Sequence, residues 1–596
     1  MQINTSQPSV GSQLEDSVID QFDKRMLGHL QSLYGEERAG QLLPRLHHLF
    51  KRHIELRQGQ RRGQPRWDEN DCVLITYGDS VQYPGMTPLA ALKSFLDRRL
   101  DGVFNLLHIL PFFPYSSDDG FAVSDFRSVN PQLGDWDDIE ALADGASLLF
   151  DLVLNHISRE HLWFVNFIHN EEPGRDYVME VDPNENLSMV VRPRSSPLLS
   201  LVRTPEGIKH VWATFSNDQI DLNFANPDVL FEIIDIMLDY IRRGARAIRL
   251  DAVAFVWKQI GTSCIHLPQT HEVVKLFRSL VELLEPGTIL LTETNVPHAE
   301  NISYFGKGDE ANMVYQFSLP PLILHAIHQQ TTQYLTPWAR SLENEALPDA
   351  CTYLNFTASH DGVGLRPLEG LVPDEEVNQL LDDMRKLGGY VSMRATTEGA
   401  DRPYELNISY FDAFRCADRP DDPWHIARFM LSQTIPLAMR GIPAVYINAL
   451  AATANDPVGV ERTGMTRAIN RRKWDGAELE RLADNPLTDT GRVFPEYIRR
   501  LRLRRGIKSF HPDASQQVLD LRDGVFGLER CSLDGRERVL AIHNLTADTV
   551  VITLPRLDDR TTRWHDALQQ NVPDLDEDGL RLRPYQVVWL LQLKSF

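Results

Sequence analysis

The stretch NPDVLFEIIDIMLDYIRRGARAIRLDAV (residues 226–253) contains one complete helix–strand unit. Asn226 can cap a helix, Pro227 suits the first turn, and Gly244 suits the end. The residues after Gly244 form a short apolar run, AIRLDAV (247–253), which is typical of a buried strand. One face of the helix is apolar, as in a helix that covers a sheet, and consists of Leu230, Ile233, Ile234, Met237 and Ile241.

The same alternation of amphipathic helix and apolar run continues in both directions along the chain. Strands that are covered on both faces consist mostly of apolar residues, so the repeat predicts an α/β fold with a (β/α)8 TIM barrel. A doubly wound parallel sheet would share this pattern. The eight runs are VLITYG (73–78), GVFNLLHIL (102–110), LLFDLVLNH (148–156), AIRLDAV (247–253), TILLTET (288–294), MVYQF (313–317), TYLNFTASH (352–360) and AVYINAL (444–450).

Four segments depart from the barrel pattern. The first residues have helical spacing and predict an N-terminal helical extension, whereas the last residues alternate at period two and predict a C-terminal antiparallel β domain. Two internal segments are too long for loops, and we interpret them as insertions at the barrel rim. The predicted order is extension 1–70, barrel 71–156, B domain 157–221, barrel 222–361, second insertion 362–425, barrel end 426–514 and β domain 515–596.

Composition excludes several classes of function. The 596 residues carry a net charge of −22, which disfavours binding to nucleic acid or to an anionic membrane. The five cysteines are far apart and form no CxxC pair, so neither a disulfide framework nor a zinc site is predicted. The first residues lack the basic start and apolar core of a secretory signal, and no apolar run could span a membrane. We therefore expect a cytoplasmic protein.

Polar and acidic residues close several predicted strands, which is costly in a barrel unless the strand ends face a site. Arg249 and Asp251 are two apart on one strand and point the same way, so the arginine can hold the carboxylate ionised. A structural ion pair is the alternative for these two residues. The other candidates are Tyr77, Asp79, His108, Asn155, His156, Glu293, His360 and Asp361.

Carboxylates that converge without a serine or cysteine nucleophile indicate glycosyl transfer. One carboxylate attacks the anomeric carbon while a second protonates the leaving oxygen, and a third can stabilise the positive charge. Aromatic segments such as PFFPYSSDDGF (111–121) and VWATF (211–215) would supply surfaces on which a sugar can stack. This chemistry does not by itself separate water from phosphate as the final acceptor.

Ordered motifs carry a resemblance to the α-amylase superfamily (glycoside hydrolase family 13), from about residue 70 to the last residue. They are TYGD (76–79), LHILPF (107–112), DLVLNH (151–156), RLDAV (249–253), TET (292–294) and ASHDG (358–362). More narrowly, the chain resembles the sucrose phosphorylase subfamily, and within it the glucosylglycerate and glucosylglycerol phosphorylases. The segments that carry this narrower resemblance are SSDDGF (116–121), FSNDQIDLN (215–223), GTSCIHL (261–267), TETNVPH (292–298), MVYQFSLPPL (313–322) and PYELNISYFDA (403–413).

The resemblance implies a role for each matching residue. Asp251 would be the nucleophile, Glu293 the acid/base and Asp361 the transition-state stabiliser. The residues that would hold the glucosyl unit are Asp79, His108, Arg249, His360 and Arg467, with Phe215 and Gln219 from the B domain. No metal or organic cofactor is implied.

The basic pair Arg192 and Arg194, in VRPR, matches a pair in the same subfamily and would bind phosphate. Pro193 holds the two arginines in an extended segment, so both guanidinium groups could reach one oxyanion. A solvated loop is the alternative for this segment.

The implied reaction is a double displacement with retention. Asp251 would form a β-glucosyl ester, and inorganic phosphate would then release α-glucose 1-phosphate. From the sequence we favour glucosylglycerol as the substrate, then glucosylglycerate, then sucrose or sucrose 6′-phosphate. A glycerate acceptor would want a cation, for which Arg394, Arg402 and Arg415 are candidates.

Two further alternatives stay open at this point. A hydrolase or transglucosidase would use the same carboxylates, and a catalytically inactive sugar-binding protein is disfavoured because all three carboxylates are present. We expect the partners to be a small glucoside and phosphate, with self-association into a homo-oligomer left open.

Overall fold

Eight parallel strands close into a barrel, which confirms the (β/α)8 prediction. The strands follow one another around the barrel in chain order, and the last pairs with the first. They are β1 (Val73–Thr76), β2 (Leu106–Ile109), β3 (Ser147–Val153), β4 (Ala245–Asp251), β5 (Ile289–Thr292), β6 (Met313–Tyr315), β7 (Thr352–Asn355) and β8 (Ile442–Tyr446). This structure is a computed structural model, and it describes residues 10–56, 66–343, 345–395, 401–419, 421–553, 563–575 and 577–593.

Helices alternate with the barrel strands, and others lie in the two insertions and in the N-terminal extension. None of those in the described residues is long and apolar enough to cross a membrane. Their bounds are α1 (Val10–Tyr34), α2 (Glu36–Leu56), α3 (Pro88–Arg99), α4 (Trp136–Ala143), α5 (Leu162–His169), α6 (Pro227–Arg242), α7 (Pro268–Leu284), α8 (His298–Ile302), α9 (Leu319–Gln329), α10 (Leu335–Ser341), α11 (Asp374–Lys386), α12 (His425–Ala438), α13 (Ile447–Leu450), α14 (Pro457–Thr463), α15 (Gly476–Ala483) and α16 (Asp489–Arg505).

Helix α6 and strand β4 show how the sequence produces one unit of this fold. The Asn226 side chain accepts a hydrogen bond from the Asp228 N–H at 3.0 Å, and Pro227 occupies the first turn. The predicted apolar face is buried along its whole length, and each such side chain stabilises the fold by about 1.5–3 kcal/mol. Gly244 has a φ of 101°, a left-handed conformation that glycine adopts without strain. The turn at Gly244 therefore leads the chain directly from α6 into β4.

The structure divides the predicted run AVYINAL (444–450) between a strand and a helix. Strand β8 covers Ile442–Tyr446, and the remainder of AVYINAL forms the short helix α13. The Asn448 side chain donates hydrogen bonds to the carbonyl oxygens of Asn470 at 3.3 Å and Arg472 at 3.2 Å. These bonds hold the chain against the 470–472 segment, away from the sheet.

Two insertions follow the carboxyl ends of barrel strands. Between β3 and β4, the strand Leu199–Thr204 pairs with Gly207–Trp212, and His156–Ser158 pairs with Gln219–Asp221, both antiparallel. After β7, a three-stranded antiparallel sheet forms from Val363–Gly364, Arg402–Asn407 and Tyr390–Arg394, with Arg402–Asn407 in the centre. The domain boundaries expected from the sequence stay predictions.

The two ends of the chain form the predicted helical extension and β structure. Helices α1 and α2 pack against each other and against α7 and α6 of the barrel. His29 of α1 bonds through Nδ1 to Glu272 Oε1 at 2.6 Å and through Nε2 to Ser279 Oγ at 2.9 Å, both on α7. The C-terminal sheet is antiparallel, in the order Ser515–Val518, Val525–Cys531, Arg538–Asn544, Val587–Leu593 and Arg563–Asp566.

Candidate active site

Three carboxylates from different barrel strands line one cavity at the carboxyl ends of the strands. Asp251 is the last residue of β4, Glu293 directly follows β5, and Asp361 lies in the segment after β7. The Ala252 N–H donates a hydrogen bond to Glu293 Oε2 at 3.1 Å, which fixes the second carboxylate beside the end of the first strand. The structure therefore brings together the three predicted catalytic candidates.

Asp251 is held by the arginine that precedes it on β4. Arg249 Nη1 donates to Asp251 Oδ1 at 2.7 Å and also to Asp151 Oδ1 of β3. Both arginine and aspartate lie on the same side of the strand, because residues two apart point the same way. Burial raises the pKa of Asp251, and the adjacent Arg249 limits that rise. The arrangement presents an oriented carboxylate oxygen to the cavity.

Glu293 has the environment of a group that exchanges a proton near neutral pH. Burial, followed by the charges of Asp251 and Asp361, raises the pKa of Glu293 to about 7. A general acid or base is most effective when its pKa lies near the working pH. Glu293 can therefore donate a proton and take one back.

Asp361 is held in its ionised form, in contrast to Glu293. Burial alone would raise its pKa, but Arg467 and Arg249 outweigh burial and lower the pKa below its usual value. Arg467 Nη1 lies 2.6 Å from Asp361 Oδ1. One cavity thus contains a carboxylate that stays ionised beside one that holds its proton, as acid/base chemistry on a glycoside requires.

Arg467 is itself held by a second buried carboxylate, Glu405. Its Nε donates to Glu405 Oε1 at 3.0 Å, and its Nη2 donates to Glu405 Oε2. Glu405 lies on the central strand of the second-insertion sheet and lines the same cavity. This two-point contact fixes the plane of the guanidinium group that reaches Asp361.

Aromatic and amide side chains form the remaining wall. Phe215 meets Phe255 edge to face with ring centres 5.6 Å apart, and His360 stacks on Phe121 at 4.7 Å. The Gln219 Oε1 accepts from Ser216 Oγ at 2.9 Å, which holds the amide at the cavity. Flat rings beside carboxylates are typical of a site that binds a sugar.

Three residues predicted to hold the glucosyl unit, namely Asp79, His108 and Arg249, are not among the described residues that line the cavity. Asp79 is turned towards Lys473, whose Nζ lies 2.6 and 2.5 Å from its two oxygens. His108 lies within β2 and not at its end, and its Nε2 bonds to Asp151 Oδ2 at 2.7 Å in the barrel interior. His108 thus contacts Asp251 only through Asp151 and Arg249.

Further residues line the catalytic cavity. Asp118 lines the cavity, and Arg471 Nη1 lies 3.2 Å from its Oδ1. His156, named in the sequence analysis only as a strand-end residue, also lines it. Six further lining residues carry no individual catalytic or binding assignment from the sequence, namely Asp118, Phe121, Asn295, Phe317, Tyr404 and Glu405. All six lie in the quoted motifs SSDDGF, TETNVPH, MVYQFSLPPL and PYELNISYFDA, so the signal was present in the sequence.

The two arginines of VRPR lie on different cavities. Arg194 lines the catalytic cavity, with its guanidinium 5.1 Å from the centre of the Tyr404 ring. Its buried Nη1 has no hydrogen-bond partner among the described residues. Arg192 lines an adjoining cavity, and its Nη2 donates to the Ser196 carbonyl oxygen. The two guanidinium groups therefore do not share one wall, contrary to the expectation from the sequence.

The catalytic cavity adjoins a wider space of about 520 Å³, whose wall also includes Asp118, Phe215 and Arg467. Within the described residues, no group of three or more His, Cys, Asp or Glu side chains is arranged to hold a metal ion.

Comparison with known proteins adds to this geometry. Residues 102–363 match the sequence model of the α-amylase catalytic domain. The chain is 43% identical to the glucosylglycerate phosphorylase of Spirochaeta thermophila, over 88% of this chain and 90% of that protein. It is 30% identical to the glucosylglycerol phosphorylase of Marinobacter adhaerens, over 70% of this chain and 85% of that protein.

A solved structure matches the same architecture. The crystal structure of sucrose 6F-phosphate phosphorylase from Thermoanaerobacter thermosaccharolyticum superposes with a TM-score of 0.69 at 24% identity. The match covers 82% of this chain and 97% of that chain. At this level of identity, the likeness supports the barrel fold alone.

Proposed function

Since the chain belongs to the α-amylase family and is a glycosyl-transferring enzyme of the phosphorylase type, we propose that it is a retaining glucosylglycerate phosphorylase. It would convert glucosylglycerate and phosphate into α-D-glucose 1-phosphate and D-glycerate. The observation that carries this proposal is the 43% identity to a glucosylglycerate phosphorylase, against 30% to a glucosylglycerol phosphorylase. From the sequence alone glucosylglycerol is favoured over glucosylglycerate, whereas these identities favour glucosylglycerate.

In the first half of the proposed reaction, Asp251 attacks the anomeric carbon of the glucosyl unit. The bond between that carbon and the glycerate oxygen breaks, and Glu293 gives its proton to this oxygen as glycerate leaves. The contact with Arg249 supports Asp251 as the nucleophile, because it orients the attacking oxygen. The product is a β-glucosyl ester on Asp251, with Glu293 ionised.

In the second half, a phosphate oxygen attacks the same carbon from the side that glycerate left. The ester bond breaks and Asp251 regains its carboxylate, while Glu293 takes up the proton that phosphate loses. Two inversions give net retention, so the product is α-glucose 1-phosphate. Asp361, which stays ionised beside Arg467, faces the positive charge that develops on the glucosyl ring in both halves.

Phosphate requires a cation near the ester, and Arg194 supports this step. Its side chain lines the catalytic cavity, and one buried N–H group lacks a protein partner in the described residues. A buried donor without a partner costs about 1–3 kcal/mol, which an anion can offset by accepting the bond. Water would have no comparable need for this arginine.

The synthetic direction tests the proposal. The protein is incubated with α-glucose 1-phosphate and, in separate tubes, with D-glycerate, glycerol, fructose or fructose 6-phosphate, and phosphate release is measured. We expect rapid release with D-glycerate and slow release with the other acceptors. Fastest release with glycerol would restore the first ranking from the sequence, and slow, equal release in every tube would make water the acceptor and the protein a hydrolase.

A further inference from the structure

A second cavity adjoins the catalytic cavity and shares Glu293 with it. Phe215, Asn295 and Tyr404 also belong to both walls. In the proposed reaction, the leaving oxygen must lie within hydrogen-bond reach of Glu293. The atoms attached to that oxygen on the side away from the sugar can therefore extend into the second cavity.

Three arginines line this second cavity, namely Arg192, Arg366 and Arg394. Arg394 Nη2 donates to Glu369 Oε1 at 2.8 Å. Arg366 lies between two carboxylates, with Nη2 3.7 Å from Glu300 Oε2 and Nε 4.0 Å from Glu369 Oε1. Glu300 and Glu369 thus fix the positions of these two arginines.

The Nε–H groups of Arg366 and Arg394 are buried and have no hydrogen-bond partner among the described residues. Buried guanidinium donors are usually satisfied by protein or by a ligand, since leaving one unpaired costs free energy. Their side chains are only 12% and 14% exposed, so bulk water reaches them poorly. Both donors are available to an acceptor inside the protein.

Among the described residues, the charges around this cavity leave an excess of positive charge. Three guanidinium groups face two partner carboxylates, Glu300 and Glu369, and Glu300 is also bonded to His266 Nε2 at 3.1 Å. Glu293 adds little negative charge while it holds its proton. In a chain of net charge −22, a basic cavity of this kind indicates an anionic ligand.

We propose that Arg366 and Arg394 bind the carboxylate of the acceptor and so select a small hydroxy acid over an uncharged polyol. The inference rests on the proposed function and assigns its acceptor specificity to two residues. A guanidinium group pairs with a carboxylate through charge-assisted bonds, whereas a hydroxymethyl group offers no charge in the same place. Glycerol would therefore leave both arginines without a counter-charge.

Only part of this assignment was accessible from the sequence. The sequence indicates Arg394 as one of three candidate cations, and it gives no signal for Arg366. Arg415 is committed elsewhere, since its Nε lies 2.6 Å from Asp412 Oδ1 and its Nη2 lies 3.4 Å from Asp489 Oδ2. Arg402 is exposed on the strand opposite Arg394 and is not among the residues that line the cavity.

The test compares acceptors in the variants Arg366→Gln and Arg394→Gln. Arg385→Gln serves as the matched control, because Arg385 lies on α11 of the same insertion and, within the described part of the chain, its ion pair is with Asp382 across one helical turn. We expect the ratio of kcat/KM for D-glycerate to kcat/KM for glycerol to fall about 10- to 100-fold in each variant, the effect of losing one hydrogen bond to a charged group. The control should change this ratio less than about twofold, as is usual for an exposed ion pair.

Other outcomes would overturn the assignment. An equal loss with D-glycerate and glycerol would show that the arginines only support the fold. A higher KM for phosphate with an unchanged KM for D-glycerate would assign the cavity to phosphate. If a glutamine variant does not fold, Arg394→Lys keeps the charge and loses the Nε donor, and an unchanged ratio in that variant would contradict the proposal.

The wild-type protein separates this inference from the proposed function. If it uses glycerol or a ketose better than D-glycerate, the proposed function fails whatever the variants do. If the wild type prefers D-glycerate and the arginine variants keep that preference, only the assignment of carboxylate binding to Arg366 and Arg394 fails.

Discussion

Replacing Glu293 with glutamine should stabilise the protein at alkaline pH while it removes activity. Burial and the neighbouring Asp251 and Asp361 raise the pKa of Glu293 from 4.5 to about 7. The folded protein therefore keeps a proton that the unfolded chain loses above about pH 4.5, so stability falls as the pH rises from about 4.5 to about 7. Glutamine does not ionise, so the free energy of unfolding of the variant does not fall in this pH range for that reason.

The size of the effect follows from the same pKa. A rise from 4.5 to about 7 corresponds to about 3 kcal/mol of unfolding free energy once the pH exceeds 7. Unfolding entropy of about 2.1 cal/mol/K per residue gives roughly 1.3 kcal/mol/K for a chain of this length. The melting temperature of Glu293→Gln should therefore exceed that of the wild type by about 2 °C at pH 9, and by less than about 1 °C at pH 5.

Differential scanning calorimetry of both proteins at pH 5 and pH 9 measures this difference. Glu375→Gln is the matched control, because Glu375 is exposed on α11 and lies away from both cavities. The control should melt with the wild type at both pH values. A Glu293→Gln variant that melts below the wild type at pH 9, or with the same difference at both pH values, would refute a raised pKa at this residue.

Three further substitutions test the remaining roles. Asp251→Asn removes the proposed nucleophile and should lower kcat about 10⁴-fold or more with an unchanged circular dichroism spectrum; substantial turnover would exclude a glucosyl ester on this residue. Glu405→Gln weakens the buried contact with Arg467, so we expect a lower melting temperature and about a 10-fold lower kcat; calorimetry showing a higher melting temperature would contradict this. Arg194→Ala should raise the KM for phosphate about 10-fold in phosphorolysis assays, and an unchanged KM would leave VRPR a structural loop.

The barrel and its three convergent carboxylates could be predicted from the sequence, because both depend on local periodicity. Apolar runs between amphipathic helices identify the strands, and Asp251 and Glu293 are acidic residues near the ends of two of those runs. Strand ends of a parallel barrel meet at one rim in every such fold. The catalytic roles that the resemblance gave these residues stay predictions.

The sequence did not show how far each polar side chain lies from the barrel rim. His108 is the third of the four residues of β2, and its side chain bonds to Asp151 inside the barrel. Asp79 is drawn aside by Lys473, which is 394 residues further along the chain. No local pattern reports such a partner, so the sequence could suggest a residue near the rim without fixing where it points.

The contributions of the insertions depended on contacts that only the folded chain makes. Glu405 reaches the cavity because its strand pairs with Val363–Gly364 on one side and Tyr390–Arg394 on the other. Arg366 and Arg394 come together at Glu369. Residue types indicated that cations were present, but the folded chain was needed to show which of them line the cavity that Glu293 shares.

The packing of the N-terminal helices on the barrel affects how β4 and β5 unfold locally. Helix α2 packs on α6, which leads into the strand that ends at Asp251, and α1 packs on α7, which leads into the strand before Glu293. Phe22, Met26, Leu30 and Phe50 are fully or almost fully buried, so separating the extension would expose them. The hydrogen bond from the Tyr34 hydroxyl to the Phe224 carbonyl oxygen, at 2.9 Å, joins the extension to the segment before α6. We therefore expect local unfolding of β4 or β5 to involve the extension as well. Amide hydrogens of β4 and β5 would exchange as part of one cooperative unit with α1 and α2.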